Sequence, residues 1–205
     1  MQKYLKMATP KSYSKYKQED IVNLGLDLKF RPFIQNIISV EASDYLKLTL
    51  QVHLRQPLLS EKAKSEFLIA PILFEIADKH RDKISFFSGH NLDIDKSLGL
   101  NGFCDFLFTR VPESTMIKEP IFCIAEAKND NLEKGVPQCI AEMYAARIAN
   151  ERQNKPIDVI YGCVTTGHFW QFLKLEGSTA FQDVNIYGLA ELPQILGILH
   201  SFVDN

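Results

Sequence analysis

The sequence predicts an α/β domain, a mixed central β-sheet flanked by helices. Short runs rich in aromatic and β-branched residues, such as Phe103-Cys-Asp-Phe-Leu-Phe108, Ile121-Phe-Cys-Ile-Ala125 and Ile157-Asp-Val-Ile-Tyr-Gly-Cys-Val-Thr165, are bounded by Gly, Pro or polar turns, as buried strands are. The elements follow one another as helix, strand, strand, strand, helix, strand, strand, helix, and the helix between Lys128 and Ile157 permits a right-handed crossover. A chain of 205 residues, 46% hydrophobic and 23% charged, also supplies the apolar side chains that one sizeable core needs.

Taken in order, residues 1 to 16 are rich in Lys, Ser and Tyr, with lysines at 3, 6, 11 and 15, and read as a loosely held start. A helix is expected from Glu19 to Leu26, ahead of Pro32. Ser43 suits the N-cap of a helix through Tyr45, Leu46, Leu48, Leu50, Val52 and Leu54, ended by Pro57. The apolar spacing there is nearer two than three and a half, which leaves a strand as the alternative. Ser60 caps, and Glu61 favours the first turn of, the clearest helix in the first half, whose apolar stripe runs from Phe67 to Ala77. Pro71 lies inside that stripe, so the helix is either kinked or handed over from a short first helix to a second. Glu66 adjoins the stripe one turn before Ala70.

Lys83 to Gly89 reads as a strand, and Asn91 to Asp95 with Gly99 as a turn or a short hairpin whose aspartates are ordinary turn residues. Beyond the central pair of strands, Asn129 to Pro137 is a polar loop. Pro137 fits the first turn of a helix carrying Ile140, Met143, Tyr144, Ala145, Ile148 and Ala149 at helical spacing, with Gln138 at its start. Ile157 to Thr165 and Phe169 to Leu175 form a hairpin about Thr166-Gly167-His168. His168 and Trp170 beside that turn have a base-stacking reading, with a core role as the alternative for Trp170. Val184 to Leu189 is expected as an edge strand, and Leu192 to Val203 as a closing amphipathic helix. The division is an N-terminal extension over residues 1–59, partly helical and packed on a core domain over residues 60–205.

Three charged residues interrupt the apolar central strands. Glu126 and Lys128 share one face by the period of two, and Asp105 shares a face with Phe103 and Leu107, opposite Cys104, Phe106 and Phe108. Antiparallel pairing of the two strands would bring both carboxylates to one place with the ammonium beside them. An unpaired buried ion is costly, so such residues find a partner or change protonation. A divalent cation is one partner, since two carboxylates, the Ala127 carbonyl and waters make the oxygen shell that Mg²⁺ or Mn²⁺ accepts. A plain ion pair of Lys128 with Glu126 or Asp105 at a strand end is the other.

With a formal net charge of -2 and a pI of about 6.2, the chain carries no global positive field for nucleic acid, so a polyanion would need a local patch or metal ions. Cys104, Cys123, Cys139 and Cys163 lack Cys-x-x-Cys spacing and read as reduced core residues. The five histidines lack ligand spacing, which argues against zinc. No apolar run is long enough to cross a bilayer and the start lacks a signal-peptide core, so a cytoplasmic protein with no membrane partner is expected.

The set Ser65-Glu66, Gly102-x-x-Asp105, Glu126-x-Lys128 and Gln138, with Tyr161-Gly-x-Val-Thr-Thr-Gly-x-x-Trp-x-Phe further on, resembles the restriction-endonuclease-like, or PD-(D/E)XK, nuclease superfamily, in an uncharacterised bacterial branch. The core covered runs from about Ser60 to Leu175. The Pro-Asp pair that names the superfamily is replaced by Cys104-Asp105. The resemblance implies a restriction-endonuclease-like core and a Mg²⁺-dependent deoxyribonuclease, with Mn²⁺ as substitute metal. Asp105, Glu126, the Ala127 carbonyl and Glu66 would serve the metal. Lys128 would sit against the attacking water or the phosphate. Gln138 would donate to a phosphate at its helix start, with helix capping as its ordinary role. The partner implied is nucleic acid, DNA first, with a homodimer suited to cutting two strands. A catalytically silent nuclease-fold module for nucleic-acid binding or subunit assembly is the alternative, motivated by the near-neutral charge.

Overall fold

Seven strands form one mixed sheet in the order β1-β7-β6-β5-β4-β3-β2 in the computed structural model, which describes residues 11–205. The strands are β1 (Asp27–Phe30), β2 (Ser85–Asn91), β3 (Phe103–Thr109), β4 (Ile121–Ala127), β5 (Val159–Thr165), β6 (Phe169–Glu176) and β7 (Thr179–Gly188). Two neighbouring pairs, β4 with β5 and β1 with β7, run parallel, and the other four are antiparallel. The helices are α1 (Gln18–Asn23), α2 (Asp44–His53), α3 (Glu61–Lys64), α4 (Ala70–Lys79), α5 (Leu132–Arg152) and α6 (Leu192–Asp204). The fold is therefore α/β, as expected.

Two apolar layers cover the sheet. On one side α2, α4 and α6 pack Leu46, Leu50, Ile72, Leu73, Ile195 and Leu199 onto Phe106, Phe122 and Phe172. On the other, α5 and Ile21 of α1 pack onto Leu107, Ile124 and Val164. Because β4 is covered on both faces, all seven of its residues are buried, and a strand so placed reads as a continuous apolar run rather than an alternating one. Asn150 of α5 holds its start: the Oδ1 accepts from the Ile121 N–H and the Nδ2 donates to the Ile121 carbonyl, each at 2.8 Å.

α2 is a helix, which settles the open choice with strand. Its Leu46 and Leu50, one turn apart, enter the core while Leu48 and Val52 stay exposed. Apolar residues on both sides of a helix mimic a strand period. The π turn Ser65–Ile69 joins α3 to α4 ahead of Pro71. Proline has no N–H to donate to the carbonyl four residues back, and that carbonyl, on Phe67, accepts instead from His53 Nδ1 of α2 at 2.7 Å.

Several expectations are corrected. Residues 11–16 are not loosely held: Tyr13 and Tyr16 are buried, and their hydroxyls donate to the Leu92 and Leu98 carbonyls. The rest of that expected stretch, residues 1–10, lies outside the described residues. The strand β1 was not expected. It pairs with β7, and beyond it Asp183 accepts from the Phe33 and Ile34 N–H groups. Consequently β7 is not an edge, and it begins at Thr179 rather than Val184. α5 starts at Leu132, capped by Asn131, so Pro137 lies within it and Gln138 falls in its second turn rather than at its start. Cys104 packs with Leu107, not with Phe106 and Phe108, so alternation slips at the head of β3. Among the described residues no helix is long and apolar enough to cross a membrane.

Candidate active site

β3 and β4 pair antiparallel in the register Phe106↔Ala125, and Asp105 and Glu126 are the next residues out along that pair. Asp105 Oδ2 accepts from the Ala127 N–H at 2.8 Å. The Lys128 N–H donates to the Thr165 carbonyl at 2.8 Å, which prolongs the pairing of β4 with β5 by one residue and returns the Lys128 side chain to the Glu126 side. Its Nζ donates to Glu126 Oε1. Asp105, Glu126 and Lys128 thus meet at one strand end. Asp105 and Lys128 are half-buried there and open the cluster to solvent, whereas Glu126 is 1% exposed.

α5 brings a fourth member that sequence reasoning missed. Glu142 is wholly buried, and Gln138, one turn earlier, donates its Nε2 to Glu142 Oε1 at 3.1 Å. The remaining oxygens, Glu126 Oε2 and Glu142 Oε2, are buried without a hydrogen-bond partner. A signal existed: Glu142 interrupts the apolar run Cys139-Ile-Ala-Glu-Met-Tyr-Ala-Ala146, as Asp105 interrupts its strand. α5 can lie this close because Gly135 has no side chain; a Cβ there would stand 2.5 Å from Val164 Cγ1 and 3.0 Å from Lys128 Cγ.

Burial dominates the electrostatics. It pushes the Glu142 carboxyl up to about 8, with the Asp105 charge adding and the Gln138 amide opposing. Burial, then the charges of Glu142 and Asp105, hold Glu126 well above the usual carboxylate range. Burial also raises Asp105 despite the Ala127 N–H. For Lys128 burial acts downward, but Glu126 outweighs it and the ammonium ends above its ordinary value. Three carboxyls face one ammonium, so the cluster is short of positive charge and retains protons instead.

A divalent cation fits that deficit. No N–H or hydroxyl among the described residues donates to Glu126 Oε2 or Asp105 Oδ1, and the Glu126 carboxyl lies within hydrogen-bond reach of the Asp105 and Glu142 carboxyls, so a cation would take the place of a proton shared among them. Hard oxygen donors suit Mg²⁺, which is commonly held by one or two carboxylates and several waters rather than a closed protein cage. Among the described residues no group of three or more His, Cys, Asp or Glu is placed to hold a metal ion.

The other expected residues lie elsewhere or do other work. Glu66, on the π turn, pairs with Lys62 at 2.7 Å and lines a groove between α2 and α4; no hydrogen bond or ion pair among the described residues links it to Asp105, Glu126 or Lys128. The acid of that helical stretch whose charge acts on Asp105 and Lys128 is Glu61. Gln138 is not at a helix terminus, and its amide is committed to Glu142. Trp170 is core, its Nε1 donating to the Gly167 carbonyl at 3.2 Å. No protein-family model matches the chain, and no curated protein matches it.

Proposed function

We propose that this chain is a metal-dependent nuclease of the restriction-endonuclease-like superfamily, hydrolysing phosphodiester bonds in DNA at the Asp105, Glu126 and Lys128 cluster. The observation that supports it is the meeting of two carboxyls and an ammonium at a strand end, with a buried oxygen of Glu126 left unpartnered. Asp105 and Glu126 would hold the cation through their carboxylate oxygens, with the Ala127 carbonyl as a third donor. When bound, Mg²⁺ or Mn²⁺ lowers the pKa of a water toward neutrality and polarises the phosphate. Lys128 is the more exposed partner of its ion pair, and it would meet the phosphate and offset the charge that builds up in the transition state. Gln138 acts through Glu142, fixing a buried carboxyl against Glu126 rather than touching phosphate. Glu66, paired with Lys62, falls outside this set.

The test is cleavage of single- and double-stranded DNA and of RNA in Mg²⁺ or Mn²⁺ by the native protein, Asp105→Asn and Lys128→Ala. Loss of one such group costs about a hundredfold or more in rate. Equal cleavage by all three proteins would remove the proposal.

One observation favours a second reading, a silent module for nucleic-acid binding or assembly. Glu126 is almost wholly buried and already has Lys128 as a partner, as in an ion pair that simply closes a strand end. Calorimetric titration separates the two: a folded protein that takes up no Mn²⁺ at millimolar concentration is the module.

A further inference from the structure

A cleft of about 600 Å³ opens beside the cluster. Its near rim is Asp130 and Thr166, two residues from Lys128 and one from Thr165, the two residues joined by a backbone hydrogen bond. From there it crosses β6 and β7 to Phe30 at the end of β1. Phe30 and Phe169 line it and are 63% and 55% exposed, an unusual state for two phenylalanines sharing one depression. Polar groups lie between them. Gln171, in β6, donates its Nε2 to the Asp183 carbonyl at 3.1 Å, and among the described residues its oxygen has no partner, leaving an acceptor toward the cleft. Gln182 contributes a second side-chain amide.

The charges decide what enters. No Lys or Arg lines the cleft, and on its α5 side stand Asp130, which is paired with Lys64 at 3.1 Å, and Glu133. A phosphate finds no cation among the lining residues to hold it. A flat, neutral group with hydrogen-bonding edges fits, since rings offer it a face and side-chain amides match its donors and acceptors.

We propose that the cleft receives an unstacked nucleobase from the strand whose phosphate lies at Lys128, so that the substrate is single-stranded nucleic acid or a frayed duplex end. This rests on the nuclease reading and names the substrate of that same site. A base within a continuous duplex has both faces covered by its neighbours and cannot enter. The slight net negative charge agrees, because binding then draws on stacking as well as on phosphate contacts.

Fluorescence anisotropy in EDTA tests this with three labelled ligands of equal length: a single-stranded oligodeoxynucleotide, the same strand made abasic, and a blunt duplex. The native protein is expected to prefer the single strand over both others by about tenfold or more, the scale of base-on-ring stacking. The double variant Phe30→Ala/Phe169→Ala should lose that preference while its affinity for the abasic strand stays the same. Both rings are exposed, so the fold is retained, which circular dichroism verifies. A 2-aminopurine in the strand should be quenched by the native protein and not by the variant. Equal affinity for base-bearing and abasic strands, an unchanged preference in the variant, or no binding of any ligand overturns the proposal. Cleavage in Mg²⁺ without base preference refutes the cleft alone, whereas base-dependent binding with no Lys128-dependent cleavage refutes the nuclease reading and leaves the cleft as a binding site.

Discussion

Asn150 shows what a single buried side chain does in this fold. It is wholly buried and supplies both the donor and the acceptor that Ile121 would otherwise find in a neighbouring strand. Asn150→Ala leaves the Ile121 N–H and carbonyl unpaired away from water, and should lower unfolding free energy by about 2–4 kcal/mol in urea titrations. Asn150→Asp keeps the shape but cannot donate to the carbonyl, so it should also destabilise; wild-type stability in either variant contradicts the account. At the same scale lies the contrast between the residues that could be read in the sequence and those that could not. Asp105 and Glu126 stood out because a charge in an apolar strand needs a partner. Glu142 obeys the same rule, but helices carry acids routinely on their solvent sides, and only the packing of α5 against β4 shows that this acid faces inward.

At the scale of elements, the molecule joins helices through polar side chains placed in apolar surroundings. Glu75 of α4 accepts from the Ser43 N–H at 2.8 Å and from its hydroxyl at 2.7 Å, tying the start of α2 to α4. α4 and α6 meet through His80 Nε2 and His200 Nδ1, 2.7 Å apart, one ring nitrogen donating to the other. Burial lowers both histidines below their ordinary value; His200 is depressed further by the His80 and then the Lys79 charge and opposed by Asp204 and Glu75, while His80 is depressed further by Lys83 and Lys79 and opposed by Asp204 and Asp82. Their folded pKa values lie below the unfolded one, so the unfolded chain takes up protons first. The stability from this contact is complete above the ordinary histidine value of 6.5 and drains away as pH falls below it toward the depressed values. Urea midpoints taken at descending pH should fall through this window, and His200→Phe should flatten the slope. A slope of equal steepness in that variant would remove the pair as its cause.

Across the whole molecule, the segment before α3 is built into the sheet and its covering layer. β1 pairs alongside β7, Asp183 anchors the chain just after it, and the Ile37–Ile38 stretch lies on α6 at Gly197, where a Cβ would collide with the Ile38 carbonyl. Gly197→Ala must therefore push that segment off α6, and should cost about 1–3 kcal/mol by thermal or urea unfolding. An unaffected midpoint would mean the close approach is readily relieved. By itself the sequence determined the α/β class, five of the seven strands within a few residues, and the three charged positions in the central pair. Those are local statements: alternation, turn residues and an out-of-place charge are written over a few neighbours. Only the tertiary structure decided that β1 closes the sheet, that α5 begins before Pro137, and that Glu142 faces the cluster while Glu66 pairs with Lys62. Each depends on which surfaces meet across long stretches of chain, and burial, which sets both the fate of a carboxyl and the worth of a hydrogen bond, exists only once they have met.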